Sequence, residues 1–286
     1  VKQSFGIGIS LGIVITALVF AVMTARPNIP ASTSPETTYA RILKTGKIRC
    51  GYFVAPPGII KDPNTGKLSG YAYDITNAAA EKLGLSVDWS QEVDFGTMTQ
   101  GLLDRRYDAV CSGVWDTAGR AREADFSIPF AYTPVMAYVR ANDKRFDDNP
   151  GAINNPDVKI AVIDGENAQQ IARISFPHAA LSPLPQLAGV SGLLMEVASG
   201  KADMTFTYPD NFLSFEAQNP GVLRPVAMDR PLRAFGNTLM IAKNAGDLKS
   251  ALDAAIRELL NEGTVDHILN NYHTGAYRVA PDYLTP

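Results

Sequence analysis

The sequence predicts an α/β protein of two similar lobes joined by extended crossings, preceded by one N-terminal hydrophobic helix. Three observations predict it. From Lys47 onward, short β-leaning runs alternate with helical stretches, the order that builds a parallel sheet covered by helices. A second series of the same kind starts at Val158. Two extended segments, Val135–Arg140 and Thr238–Ala242, flank that second series and join the halves. Two lobes joined in this way enclose a cleft, where pockets commonly form.

The chain has 286 residues, 46% hydrophobic and 19% charged, so it can fill two modest cores. A net charge of −3 without a basic cluster excludes nucleic acid as a partner. At the N-terminus, Lys2 precedes an apolar run from Phe5 to Met23. As a helix this run would cover ~28 Å, against a bilayer core of ~30 Å. Residues 1–25 therefore read as a signal peptide or as an uncleaved signal anchor. Met23-Thr24-Ala25 is a poor cleavage site, and no cysteine follows at a lipoprotein position. Residues 26–38 (RPNIPASTSPETT) read as a flexible linker. The remainder is expected to be exported, either free or tethered to the membrane by residues 5–23.

Taken in order, Tyr39–Gly46 reads as a short opening helix and Lys47–Phe53 as the first core strand. Val54–Gly58 breaks the backbone, and Lys61–Gly66 is a turn-rich tip. Asp74 is placed to cap a helix running through Ala78–Leu83 that Gly84 ends. Leu85–Trp89 is a strand, and Phe95–Asp104 a helix with Met98, Leu102 and Leu103 on one face. Tyr107–Ser112 is a buried strand. Beyond Phe130, Val135–Arg140 is a strand and Ala141–Pro156 is polar and turn-rich. The second series runs from strand Val158–Ile163 to a helix from Ala168, a proline-rich connection Ser175–Pro185, helix Val190–Ser199 and strand Ala202–Thr207. Thr238–Ala242 is strand-like, Asp247–Leu260 a strongly amphipathic helix, and Val265–Tyr272 a short closing helix.

Chemistry concentrates after the strand that ends at Gly113. In an open α/β sheet, ligands bind beyond the carboxyl ends of the strands. There Thr117 and Arg120 come together in a polar turn, and an arginine presents a rigid fork of donors for a carboxylate or phosphate. The competing expectation is a solvated Arg120 paired with Glu123 or Asp125. Cys50 and Cys111, the only cysteines, both fall in predicted strands. An exported setting permits a disulfide. The reading adopted is two small buried hydrophobes, because free cysteine is often buried. His178, His267 and His273 are scattered and form no metal signature. Neither a cofactor nor a metal is expected.

The order of motifs resembles the family 3 bacterial extracellular solute-binding proteins, the polar-amino-acid receptors of ABC importers. Leu68–Gly84 (LSGYAYDITNAAAEKLG) is similar to the family signature, with Ala72 in place of its first acid and Asp74 keeping the second. Asp108-Ala-Val leading to Gly113, Thr117-x-x-Arg120 and Phe126-Ser-x-Pro-Phe130 match its central motif. Lys159–Gly165, Ser199–Asp203 and Asn261–Asp266 match later ones. The resemblance covers nearly everything from Tyr39 to Tyr272.

It implies a two-lobed periplasmic-binding-protein (Venus flytrap) fold with a hinge between lobes. Lobe 1 would be 39–130 with 237–278, and lobe 2 would be 135–233. Carried over by position, Arg120 would hold a ligand carboxylate, aided by Thr117 and by a backbone amide near Asn167 at a helix start. Phe95 would stack on the ligand. Departures bear on which ligand it is. The family's acid near the end of the first strand falls close to Tyr52, and Tyr208 replaces the acid that grips an ammonium, with Asp210 two residues on. Gly165-Glu166-Asn167 replaces a Gly-Thr-Thr-like turn, and Trp115 stands where small hydroxyl residues are common. The candidate ligand-binding set is thus Arg120, Thr117, Phe95, Gly113, Trp115, Glu166, Asn167, Tyr52, Tyr208 and Asp210.

The function implied is binding, not catalysis: a monomer delivering an amino acid or other small carboxylate to ABC permease subunits in the inner membrane. Two alternatives stand beside it. One is an exported dehydratase of the cyclohexadienyl type on the same fold, with Glu166 as general acid. The other is a membrane-tethered sensor lobe.

Overall fold

Lobe 1 grows from the alternation that the sequence displays. In this computed structural model, which describes residues 36–276 apart from Phe95, Gly165 and the side chain of Gln186, helix α1 (Thr38–Thr45) leads into β1 (Lys47–Tyr52). The hairpin β2 (Ile60–Lys61) and β3 (Leu68–Ser69) follows, then α2 (Tyr71–Lys82), β4 (Ser86–Glu92), α3 (Met98–Leu103) and β5 (Ala109–Trp115). β1 pairs in parallel with both β4 and β5. Central parallel strands are covered on both faces, so they read as continuous apolar runs. β5 is such a strand, buried from Ala109 to Val114. β4 lies at the sheet edge and alternates between exposed and half-buried positions. The expected segment 1–25 and the expected linker 26–38 as far as residue 35 lie outside the described residues, Thr38 already belongs to α1, and no helix among the described residues is long and apolar enough to cross a membrane.

Two helix starts differ from expectation for local reasons. α2 begins at Tyr71, because the carbonyls of Pro57 and Gly58 accept the Tyr71 and Ala72 amides, each at 3.0 Å. Asp74 lies inside the first turn and accepts the Tyr272 hydroxyl at 2.8 Å instead of capping. α3 starts three residues late, because the Asp94 carboxylate accepts the Gly96 and Thr97 amides at 2.9 Å and holds a turn there.

Lobe 2 repeats the plan. After β6 (Ala124–Phe126), which still belongs to lobe 1, and β7 (Ala131–Arg140) come β8 (Lys159–Ile163), α4 (Asn167–Ser175), β9 (Ala180–Leu184), α5 (Gly189–Ala198), β10 (Met204–Thr207), α6 (Pro209–Glu216) and β11 (Leu223–Pro225). β8 lies parallel between β9 and β10. The connection expected over Ser175–Pro185 thus contains a strand. Pro183 is tolerated because β9 is an edge strand, where the missing amide leaves no partner wanting. β12 (Arg233–Ala242), α7 (Gly246–Asn261) and α8 (Thr264–Asn271) return the chain to lobe 1.

The same latch stabilises each half. Asp108, just before β5, accepts the Arg49 amide at 2.9 Å and its guanidinium at 2.9 Å, while its own amide bonds the Arg49 carbonyl at 2.8 Å. Asp203, just before β10, accepts the Lys159 amide at 2.9 Å and Arg145 at 2.6 Å, with the same return bond at 2.8 Å. Each acid clips its strand to the parallel neighbour.

One sequence expectation is corrected here. Cys50 and Cys111 are joined as a disulfide, with Cα atoms 5.7 Å apart. The parallel register sets Cys50 beside Ala109, and Cys111, two residues on, shares that face. Only the register between strands aims both sulfurs at one space, and a single sequence does not carry it.

β7 and β12 are the crossings. β7 pairs with β12 through Ala131–Val135 and with β10 through Met136–Val139. β12 pairs with β7 through Arg233–Asn237 and with β5 through Asn237–Ile241. Each ten-residue strand therefore belongs to both halves, and Asn237 stands where β12 changes partner.

Candidate functional site

The site is built from the carboxyl end of β5. Between Val110 and Val114, β5 uses four residue steps where β12 uses two, from Met240 to Thr238. Gly113 takes up the excess at φ 72°. A Cβ there would meet Asn237 at 3.5 Å and Phe130 at 3.6 Å, ordinary contact distances, so the requirement for glycine is conformational. Bulges of this kind re-aim the residues that follow. Trp115 emerges half-buried, its indole stacked on Phe235 at 4.4 Å and lying edge-on to Tyr208 at 6.1 Å. Its Nε1 donates to Asn237 Oδ1 at 3.0 Å.

Thr117 and Arg120 are brought together as the sequence predicts. The Thr117 carbonyl accepts the Ala121 amide at 2.9 Å, and Arg120 opens a single tight turn. Arg120 Nη1 donates to the Trp115 carbonyl at 3.0 Å. Burial pulls the guanidinium's pKa down, and among the described residues no carboxylate lies within ion-pair distance of it. The expected alternative fails: Asp125 instead pairs with Lys243 at 2.8 Å and accepts the Asn244 amide.

From lobe 2, Glu166 stands immediately before α4, and Asn167 is its first residue. Glu166 Oε2 is buried and has no hydrogen-bond partner among the described residues. Burial raises the carboxyl's pKa, with the Ala168 amide opposing. Tyr208 precedes α6. Burial raises its pKa, Asn211 opposes, and the charges of Glu166 and Asp210 push it further up.

Two sequence candidates already have partners within the fold. Asp210 has both oxygens engaged, one by the Thr274 hydroxyl and one by the Gly275 amide, each at 3.0 Å. Tyr52 is buried in the lobe 1 core, edge-on to Trp89 at 6.1 Å, so its ring is a packing residue. Phe95 lies outside the described residues.

The sequence reading missed the polar node under the tryptophan. Asn237, 1% exposed, donates to Thr133 Oγ1 at 2.9 Å and accepts from Trp115. It also reaches the Tyr71 hydroxyl at 3.4 Å. The available signal was Phe235-Gly-Asn237, an aromatic and an amide just before the apolar run Leu239–Ala242. Starting that strand at Thr238 hid it. Among the described residues no group of three or more His, Cys, Asp or Glu is disposed to hold a metal.

Residues 48–275 match the bacterial extracellular solute-binding proteins, family 3. The L-cystine-binding protein of Bacillus subtilis is 25% identical over 236 residues, which are 80% of this chain and 82% of that protein. The cyclohexadienyl dehydratase of Pseudomonas aeruginosa is 26% identical over 179 residues, 60% of this chain and 63% of that enzyme. The crystal structure of an ancestral amino acid-binding protein, a precursor of cyclohexadienyl dehydratase, superposes with a TM-score of 0.64 at 24% identity, a likeness of fold. It covers 82% of this chain and 99% of that one. With the match spanning both lobes and the strands that join them, the chain belongs to the family 3 bacterial extracellular solute-binding proteins.

Proposed function

We propose that the protein is the substrate-binding component of an ABC importer, closing outside the cytoplasm on a small carboxylate-bearing solute, an amino acid or a derivative of one. One observation carries the reading: Arg120 is a half-buried cation whose hydrogen bond goes to a backbone carbonyl, with no carboxylate within ion-pair distance among the described residues. Burying a charge without a counter-charge is costly, and a solute carboxylate on the guanidinium fork relieves that cost. Thr117 assists, Trp115 forms a wall, and Phe95 stacks on the solute. The bodies 39–130 with 237–278 and 135–233 move about the β7–β12 crossings. The loaded, monomeric protein then docks on permease subunits of the inner membrane, with residues 1–25 serving export or anchoring.

The second reading, dehydration chemistry, is favoured by Glu166, whose Oε2 is buried without a hydrogen-bond partner among the described residues and whose pKa burial shifts upward, the direction a general acid needs. A thermal-shift screen of amino acids, keto acids and polyamines separates the two. Binding predicts concentration-dependent stabilisation by an amino acid that is recovered chemically unchanged. Turnover of prephenate or arogenate that vanishes in Glu166→Gln would replace the binding reading with the enzymatic one.

A further inference from the structure

The acids around the site differ in what already holds them. Asp210 is bonded through both oxygens to Thr274 and Gly275. Asp125 is paired with Lys243, and Asp164 accepts Gln169 Nε2 at 2.5 Å. Asp116 is exposed at the end of β5. Glu166 alone among these combines burial with an oxygen that has no partner among the described residues.

Its position also conflicts with seating a solute carboxylate at the start of α4. The helix end favours one anion, and Glu166 supplies it. A second carboxylate there would meet a like charge in a low-dielectric setting. The solute's carboxylate is left with Arg120 and Thr117. At the α4 end, the free acceptor calls for a donor. The two charged groups are linked through one wall: Arg120 bonds the Trp115 carbonyl, the Trp115 ring meets Tyr208 at 6.1 Å, and Tyr208 feels the Glu166 charge. Arg120 and Trp115 come from lobe 1, Glu166 and Tyr208 from lobe 2.

Resting on the binding reading above, we infer that Glu166 is a specificity-determining residue that takes the amino group of an amino-carboxylate solute whose carboxylate lies on Arg120. Its carboxylate stands in for the family acid that Tyr208 has replaced, from a different element of the same lobe. A solute with both groups bridges the two lobes. A plain carboxylate engages one lobe and leaves Glu166 unmatched, so it favours the closed state less.

Calorimetric titration of the whole protein with matched probe pairs tests this. The pairs are L-leucine and 4-methylpentanoate, L-phenylalanine and 3-phenylpropanoate, and L-arginine and 5-guanidinopentanoate, each differing by the α-amino group alone. Wild-type protein should bind the aminated member of at least one pair about 10-fold or more tightly than its partner. Glu166→Gln should weaken that member by about 10- to 100-fold, the range for a hydrogen bond to a charged group, and leave the deaminated partner nearly unchanged. Glu166→Asp should recover part of the loss, and melting curves without ligand report whether each variant is folded. Equal binding of both members, or a Glu166→Gln protein that keeps the wild-type ratio, overturns this role while the Arg120 reading stands. A wild type that binds none of the six overturns both.

Discussion

At Glu166 two influences oppose each other: the start of α4 favours its charge, and burial disfavours it more strongly. The folded-state pKa is therefore raised above the usual glutamate value of 4.5. A raised pKa means that folding holds the proton more tightly, so the stabilisation is complete below the unfolded value and is lost as pH rises through the folded one. Without ligand, Glu166→Gln should accordingly melt a few degrees above wild type at pH 7, and the difference should shrink to nothing as pH falls below the ordinary glutamate range. A variant that melts below wild type at pH 7 would place a counter-charge beside Glu166. Asp210 makes the contrasting case. Asp210→Asn replaces an acceptor with a donor opposite Thr274 or Gly275, so it should lower stability by about 1–3 kcal/mol in melting experiments. Affinity for the solute should change little; a loss of ~100-fold would put Asp210 on the ligand instead. Thr117 and Arg120 were legible as a pair because three residues separate them in one turn. Tyr52 and Asp210 were not, because what decides them, Trp89 and the Thr274–Gly275 segment, lies far along the chain.

Among elements, the alternation of strand and helix is written locally, and hence the parallel character of both halves could be read directly. The pairings between strands could not. β9 was missed because prolines argue against a strand unless it is known to lie at an edge, and edges are a property of the assembled sheet. The disulfide was missed for the same reason, since it depends on β1 lying beside β5 in one register. Closing a loop across the 61-residue separation is worth about 4 kcal/mol by the chain-entropy argument. Replacing both cysteines with alanine should lower stability by about that amount in denaturant titrations. An unchanged midpoint would show that the bond adds nothing to the packing of lobe 1.

For the whole molecule, β7 and β12 hold the two halves together, and the polar node Asn237–Thr133 lies where they meet. The segment after α8 adds a further tie, Asp210 on α6 to Thr274 and Gly275, with Gly275 packed so closely on Pro209 that a Cβ would stand 2.6 Å from the ring. Closure on a solute must work against or with these ties, and its driving force is the differential affinity of the two states. The resemblance read from the ordered motifs reached the family and the two-lobed fold; the support under Trp115, Phe235 and Asn237, needed the crossing strands in place.

The most direct measurement is calorimetric titration of wild-type and Arg120→Ala proteins with the amino acid that gives the largest thermal shift. Removing one member of a desolvated charge pair costs on the order of 2–5 kcal/mol. Arg120→Ala should therefore lose ~30-fold to several thousand-fold in affinity while its unliganded melting curve stays close to wild type. Arg120→Lys should recover little, since a point charge does not reproduce two parallel hydrogen bonds. Wild-type affinity in a folded Arg120→Ala protein would contradict a carboxylate held at the end of β5.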